Sequence, residues 1–380
     1  MTDSVYLGNP NLKKANTAIE FTPDQVQEFI KCKGDPVYFS KNYIKIVSLD
    51  EGLVPFSMYD FQEEMVRCFH KNRFNIAKLP RQTGKSTTVV SYLLHYIIFN
   101  DNVNIGILAN KASTSRELLS RLQLAYENLP RWMQHGILAW NKGNVELENG
   151  SKILAASTSS SAVRGMSFNI IFLDEFAFVP NHIAEQFFSS VYPTISSGKS
   201  TKVIIISTPN GMNMFYKLWH DAERGKNEYT TTEVHWSQVP GRDAAWKEQT
   251  IKNTSQRQFT QEFECEFLGS VDTLIAASKL RTMVYEEPLE RKNGLDVYEL
   301  PIPDHEYVMT VDVSRGVSND YSAFVVVDIT TIPYKVVAKY KNNNIKPLLF
   351  PNIIHPVAMS YNHAFVLCEV NDIGGQVADI

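Results

Sequence analysis

The sequence predicts an α/β protein in which a parallel sheet covered by helices is followed by a smaller part with antiparallel strands. Two patterns indicate this fold class. From Phe74 onward, short apolar runs of strand length alternate with helical patterns, which is typical of a parallel sheet with crossover helices on its faces. From Tyr307 onward, three strand patterns follow one another closely, as in an antiparallel meander.

The first fifty residues are of mixed character, and we assign residues 1–50 to an N-terminal helical lead-in. In the segment "TPDQVQEFIKC", Thr22 stands where a threonine caps the first turn of a short helix.

Residues 51–280 are expected to form the main domain. Its second predicted helix opens with a Thr114/Glu117 capping box and stops at Pro130. The predicted elements are a strand in "FNIAKL" (74–79), a helix in "KSTTVVSYLLHYIIFN" (85–100), a strand in "NIGILAN" (104–110), a helix in "TSRELLSRLQLAYENLP" (114–130), and strands in "NIIFLDE" (169–175) and "KVIIIST" (202–208).

Residues 281–306 are charged, punctuated by proline and without sustained periodicity, so a linker is predicted there. Residues 307–380 then contain the meander, a stretch of helix length and a further strand, "AFVLCEV". We expect them to form a second domain.

Composition excludes several classes of function. The net charge of −4 gives the molecule no overall positive field, so a nucleic-acid partner would have to be held by local basic patches. The four cysteines are widely separated and form no C-x-x-C pair, which argues against a zinc site or a disulfide framework. No apolar run approaches the roughly 18 residues of a membrane span.

The segment "LPRQTGKST" (79–87) ends like a phosphate-binding loop, although Leu79 stands where the usual pattern G-x-x-x-x-G-K-S/T has its first glycine. Such a loop needs backbone N–H groups aimed at phosphates, a lysine at the β/γ oxygens and a hydroxyl on Mg²⁺. Gly84, Lys85 and Ser86 supply the last part between a predicted strand and a predicted helix, whose N-terminus adds a partial positive charge.

Adjacent acids end a later apolar strand, in "NIIFLDEF". Asp174 is expected to hold Mg²⁺ through water, and Glu175 to orient and deprotonate the attacking water. Downstream, Ser207 and Thr208 end a third strand, where hydroxyls can sense the γ-phosphate, although turn chemistry around Pro209 explains these residues nearly as well. The sequence therefore predicts a nucleotide-hydrolysing site.

Six segments in order resemble the large terminase subunit of tailed bacteriophages, most closely the type found in T4-like phages. They are "DPVYFSKNYIKIV", "GLVPFSMYDFQEEM", "LPRQTGKST", "VRGMSFNIIFLDEFAFVP", "ISTPNGMNMFYKLW" and "QFTQEFECEFLGSVDTLI". The resemblance covers almost the whole chain, and it implies a RecA-like P-loop ATPase followed by an RNase H-like α/β nuclease domain.

The resemblance also implies roles for individual residues. The family's variant phosphate loop lacks the leading glycine and carries an Arg-Gln pair, here Arg81 and Gln82, with Arg81 acting as an arginine finger in cis. Gln62 matches the adenine-recognition glutamine, Ser207 and Thr208 match the coupling motif, and Arg164 is a second finger candidate that acts on a neighbouring subunit. The expected nucleotide-binding residues are Gln62, Arg81, Gln82, Thr83, Gly84, Lys85, Ser86, Thr87 and Asp174, with Glu175, Arg81 and Lys85 expected to be catalytic.

The implied function is ATP-driven pumping of viral dsDNA into a procapsid, with ATP and Mg²⁺ as cofactors. The implied partners are dsDNA, gripped by its phosphates without sequence readout, the portal protein and the small terminase subunit, with several copies of the chain in a ring on the portal. The expected location is the cytoplasm of the infected bacterial host, and we expect the protein to be absent from membranes and from the mature virion.

The second domain is expected to cut DNA at a site with two Mg²⁺ or Mn²⁺ ions held by clustered carboxylates. Asp312 ends the first strand of the meander, Asp320 follows it, and Glu369 ends "FVLCEV". The family's further metal-binding carboxylate lies beyond the fourth strand, whereas this sequence ends at Ile380. We therefore expect the cutting half to be incomplete.

Two other functions fit part of the sequence. A DNA helicase or remodelling ATPase shares the phosphate loop and the Asp-Glu pair, but it should continue into a second motor domain. A nucleotide-binding assembly factor without activity is disfavoured by the intact set of Lys85, Asp174 and Glu175, because a pure scaffold does not need the catalytic glutamate.

Overall fold

The computed structural model describes residues 4–48, 50–158, 166–196, 198–268, 286–316, 320–371 and 373–380. The chain divides into two compact units, Met1–Leu280 and Arg281–Ile380. The expected trans-acting Arg164, and residues 281–285 of the expected linker, lie outside the described residues.

The elements of the first unit, in chain order, are β1 (Val5–Tyr6), β2 (Asn9–Lys13), α1 (Pro23–Gly34), α2 (Pro36–Tyr43), β3 (Lys45–Ser48), β4 (Gly52–Pro55), α3 (Asp60–Lys71), β5 (Phe74–Lys78), α4 (Lys85–Phe99), β6 (Asn104–Ala109), α5 (Ala112–Glu127), β7 (Ile137–Trp140), β8 (Asn144–Leu147), β9 (Lys152–Ser157), β10 (Ile170–Asp174), α6 (Asn181–Ser196), β11 (Lys202–Ser207), α7 (Met214–Glu223), β12 (Thr230–Glu233), α8 (Ala244–Asn253) and α9 (Gln256–Glu262).

The main sheet of the first unit has the order β12-β5-β11-β10-β6-β9-β8-β7. The strands from β12 to β9 run parallel, and β8 and β7 are antiparallel at one edge. The predicted parallel sheet is therefore confirmed. Because β5, β11 and β10 are parallel neighbours, their carboxyl ends meet at one edge, with Ser207 opposite Lys78 and Asp174 opposite Ile206.

Both faces of this sheet are buried, since the apolar strand residues alternate between two hydrophobic clusters. In β10, Ile170 and Phe172 belong to one cluster, and Ile171 and Leu173 to the other. Burying one such side chain contributes about 1.5–3 kcal/mol relative to leaving it exposed. Helix α4 is apolar around most of its circumference, with twelve of its residues buried, as expected of a helix inside the core.

Two predicted helix starts have different outcomes. Thr22 caps α1, as predicted, and the structure adds a reciprocal capping box with Gln25. The Thr114/Glu117 box is wrong, because α5 begins at Ala112. The N–H groups of Thr114 and Ser115 already donate to Lys111 O, at 3.0 and 3.3 Å, so Thr114 lies inside the first turn.

The second unit contains β13 (Glu290–Lys292), β14 (Leu295–Val297), β15 (Tyr307–Asp312), β16 (Ser322–Asp328), β17 (Lys335–Asn342), α10 (Pro351–Ser360), β18 (Phe365–Cys368) and α11 (Gly374–Ala378). Its sheet has the order β13-β14-β17-β16-β15-β18. The predicted meander β15–β16–β17 is confirmed, and β18 joins it parallel to β15.

The linker expected over residues 281–306 is not unstructured in its middle part. β13 and β14 pair as a hairpin, and β14 pairs with β17. The turn consists of Asn293 and Gly294, both with positive φ, 49° and 89°. An Asn-Gly pair between strands is a strong hairpin signal, because both residues tolerate the left-handed conformation that the turn requires.

Candidate active site

A loop at the carboxyl edge of the first unit's sheet connects β5 to α4. Its residues Gln82 and Gly84 have positive φ, 56° and 69°. A Cβ atom on Gly84 would lie 2.6 Å from Gln62 Nε2 and would displace that amide, and the positive φ also favours glycine there. Gln82 holds the left-handed conformation without being glycine, which costs of the order of 1 kcal/mol.

Lys85 begins α4, and its side chain is almost completely buried. Its ammonium Nζ lies 2.8 Å from Glu175 Oε1 and donates to Thr208 Oγ1 at 2.7 Å. The lysine expected at the phosphates, the expected base and one of the expected coupling hydroxyls therefore lie in mutual contact. The strands β5, β10 and β11 bring them together.

Ser86 and Asp174 form the second contact of the site. Ser86 Oγ donates to Asp174 Oδ1 at 3.2 Å. Burial of Asp174, together with the adjacent Glu175 carboxylate, raises the pKa of Asp174 to about 6, against the opposing effects of Lys85 and Ser86. A hydroxyl and a carboxylate are hard oxygen donors of the kind that Mg²⁺ prefers, so the pair fits the ion expected there.

Glu175 is held at the turn after β10 with a φ of 48°. Its Oε2 accepts a hydrogen bond from the Thr208 N–H at 3.2 Å and lies 3.3 Å from Ser207 Oγ. Ser207 Oγ also accepts from the Ala177 N–H at 3.0 Å. The end of β11 thus contacts the carboxylate directly, which gives the expected coupling residues a physical connection to Glu175.

Gln62 lies in α3 and is 2% exposed. Its Nε2 donates to Thr83 O at 2.9 Å, and its Oε1 accepts from the Tyr59 N–H at 2.9 Å. Thr83 Oγ1 in turn donates to Pro80 O at 3.1 Å. Gln62, the residue expected at the adenine base, therefore holds the loop between β5 and α4 through its hydrogen bond to Thr83.

Arg81 and Gln82 are exposed at the outer side of the loop, and Thr87 is half-buried in the first turn of α4. Arg81 Nη2 lies 3.3 Å from Glu262 Oε1, and the Arg81 N–H donates to Glu262 O at 3.1 Å. Arg242 Nη2 donates to Arg81 O and to Gln82 O, each at 3.0 Å.

Glu262 and Arg242 were missed in the sequence. The Arg242 contact joins residues 160 and 161 positions apart and runs through backbone atoms of the loop. No local pattern could have indicated it.

In the second unit, the structure brings together Asp312 and Glu369. Asp312 ends β15, Glu369 follows β18, and the preceding pair, Val311 and Cys368, are register partners of these parallel strands. Both acids line a hollow of about 560 Å³, and Glu369 accepts a hydrogen bond from Asn371.

Asp320 is exposed and does not line this hollow; its Oδ1 accepts from its neighbour Tyr321 N–H at 2.8 Å. Within the described ranges, no group of three or more His, Cys, Asp or Glu side chains is placed to hold a metal ion. Of the expected set Asp312, Asp320 and Glu369, the described structure therefore brings only Asp312 and Glu369 together.

The chain matches two protein-family models. Residues 76–282 match the model described as "Terminase large subunit, T4likevirus-type, N-terminal", and residues 309–380 match "Terminase RNaseH-like domain".

Individual relatives agree with these matches. The chain is 25% identical over 232 residues to the "Terminase, large subunit" of Thermus virus P23-45, and 24% identical to that of Thermus phage G20c. Each alignment covers 57% of this chain and 45% of the relative, so the chain spans about half the length of the curated relatives it matches. The large terminase of bacteriophage HK97 has a similar fold, with a TM-score of 0.54 at 14% identity, over 88% of this chain and 74% of that one.

Proposed function

Because the chain belongs to the family of terminase large subunits of the T4likevirus type, we propose that it is an ATP-driven motor that moves viral dsDNA into a procapsid. The observation that carries the proposal is the contact of Lys85 with both Glu175 and Thr208, beside the Ser86–Asp174 pair. These are the groups that phosphoryl transfer from ATP to water requires at one sheet edge.

Each group has a distinct task in the proposed reaction. The loop N–H groups and the N-terminus of α4 bind the phosphates. Ser86 and Asp174 would hold Mg²⁺, which supplies charge neutralisation to the β and γ oxygens. Lys85 exchanges its Glu175 contact for the phosphate oxygens, and the freed Glu175 carboxylate accepts a proton from the attacking water.

The contacts of Glu175 with the end of β11 suggest how hydrolysis is transmitted. When Glu175 leaves Lys85, its contacts with Ser207 and the Thr208 N–H change as well. Because Leu79 N–H donates to Ser207 O at 3.2 Å, the beginning of the phosphate loop is tied to the same strand end. These contacts support a coupling role for Ser207 and Thr208. The resemblance to the family supports three further roles, namely adenine recognition by Gln62, a finger in cis at Arg81 and a finger candidate in trans at Arg164.

The partners proposed are dsDNA, the portal protein, the small terminase subunit and further copies of this chain in a ring, in the cytoplasm of the bacterial host. The second unit is proposed to cleave DNA with Mg²⁺ or Mn²⁺ at Asp312 and Glu369, once further ligands complete the site. Its match to an RNase H-like domain disfavours a helicase, which would continue into a second motor domain. Among the described residues, no helix is long and apolar enough to cross a membrane.

The decisive experiment compares Glu175→Gln with the wild-type chain. The variant keeps the shape of the side chain and loses the base, so ATP turnover should fall by about 10²-fold or more while ATP still binds. Glu117→Gln, at an exposed position of α5, is the matched control and should hydrolyse ATP normally. Normal turnover by Glu175→Gln would refute the assignment of the site.

A further inference from the structure

Arg242 contacts the phosphate loop from outside the nucleotide-binding pattern. Its Nη2 donates to the carbonyl oxygens of Arg81 and Gln82, each at 3.0 Å. A guanidinium NH₂ group has two hydrogens, so this nitrogen is fully used by two consecutive peptide groups of the loop.

These two bonds fix the direction of two N–H donors. In a trans peptide the C=O and the following N–H point to opposite sides. With its carbonyls directed at Arg242, the Arg81–Gln82–Thr83 backbone directs the N–H groups of Gln82 and Thr83 away from the guanidinium. Gln82 has a φ of 56°, a conformation that a non-glycine residue keeps only when its surroundings hold it.

The guanidinium itself is held in place by aromatic rings. Its Cζ lies 4.7 Å from the centroid of Trp246 and 5.6 Å from that of Phe263. None of the salt bridges among the described residues includes Arg242, and its Nη1 is buried without a hydrogen-bond acceptor there. The charge of Arg242 is therefore directed at the loop carbonyls and is not neutralised by a carboxylate in this part of the chain.

A second contact from the same aromatic cluster supports the loop. Glu262 lies next to Phe263, accepts the Arg81 N–H at 3.1 Å and pairs with the Arg81 side chain at 3.3 Å. Arg242 and Glu262, which follow the main sheet in sequence, thus hold the loop at Arg81 and Gln82 through hydrogen bonds.

We propose that Arg242 is a positioning residue of the ATPase, which holds the Arg81–Gln82 and Gln82–Thr83 peptides so that their N–H groups face the phosphates of the nucleotide. This inference rests on the proposed ATPase function. The alignment of these donors matters most when charge develops on the transferring phosphoryl group, because preorganised donors act chiefly in the transition state. Loss of Arg242 should therefore lower kcat more than ATP affinity.

The test uses three substitutions in the full chain. Arg242→Met retains an apolar stem against Trp246 and Phe263 but removes both hydrogen bonds, and kcat should fall about 10- to 100-fold, less than for loss of a direct donor. KM for ATP should change by less than about threefold. Arg242→Lys should give an intermediate kcat, and Arg242→Ala should regain kcat when guanidinium is added at low millimolar concentration.

Arg257→Ala removes an exposed arginine from α9 and serves as the control, with unchanged kcat and no response to guanidinium. A purely structural role would lower the fraction of folded protein, with no change in kcat per folded molecule and no guanidinium rescue. A folded Arg242→Met with wild-type kcat would overturn the proposal. If the wild-type chain itself failed to hydrolyse ATP, the proposed function would fail first, so the two failures are distinguishable.

Discussion

Asp174→Asn is predicted to make the ligand-free protein more stable at neutral pH while abolishing its activity. Asp174 is 3% exposed, and its carboxylate lies beside Glu175. Burial and the neighbouring negative charge raise its pKa from an ordinary 3.8 to about 6. Ionisation of Asp174 therefore costs more in the folded state than in the unfolded state, and asparagine removes that cost.

The magnitude follows from the pKa difference, which is about two pH units. One pH unit corresponds to about 1.4 kcal/mol, so the cost approaches ~3 kcal/mol at high pH. The folded state binds the Asp174 proton more tightly than the unfolded state. The stabilisation from this proton is fully present below about pH 4 and is lost as the pH rises through 6. The stability difference between variant and wild type should be small at pH 4 and grow to ~3 kcal/mol at pH 8, or about 5 °C in Tm.

The assay is thermal and urea unfolding followed by tryptophan fluorescence. All five tryptophans lie between residues 132 and 246, so the signal reports on the first unit. Asp101→Asn, at an exposed position, is the control and should show no growing difference. Mg²⁺ with ATP should stabilise the wild type and not Asp174→Asn. A variant no more stable than wild type at pH 8, or a difference that does not shrink toward pH 4, would refute the reasoning.

Three further outcomes are expected. Arg81→Ala should lower kcat by about 10³-fold or more and change ATP affinity little in equilibrium binding; a larger effect on affinity than on turnover would contradict its finger role. Gly84→Ala should weaken ATP binding at least about tenfold, since its Cβ displaces the Gln62 amide and strains the backbone. The control Gly34→Ala, which has open space around its Cβ, should bind ATP normally. Phe172→Ala, in the fully buried β10, should lower the free energy of unfolding by about 3–5 kcal/mol. A loss below about 1 kcal/mol in urea titrations would contradict this expectation and show that this side of the sheet is loosely packed.

Much of the fold was predictable because its signals are local. Apolar runs of strand length, helical spacing and the Thr22 cap are encoded in neighbouring residues, and the predicted strands and helices from Phe74 to Ser207 are found. Two of the errors were local too. The Thr114/Glu117 pattern was overridden by an earlier first turn, and the Asn293–Gly294 hairpin was overlooked within a charged, proline-rich stretch.

The loop of residues 79–87 and the Asp174–Glu175 pair could be predicted as a candidate nucleotide site from the sequence, since both are contiguous segments whose chemistry is readable from residue type and flanking pattern. The contacts of Lys85 with Glu175 and Thr208, and the placement of Asp312 near Glu369 but not Asp320, could not be predicted in this way. They follow from which strands are neighbours and in what register. The same holds for Arg242 and Glu262. Their contacts with the loop use backbone atoms across a long sequence separation. Every residue has a backbone carbonyl, so the residue type does not show which carbonyl will take part in such a contact.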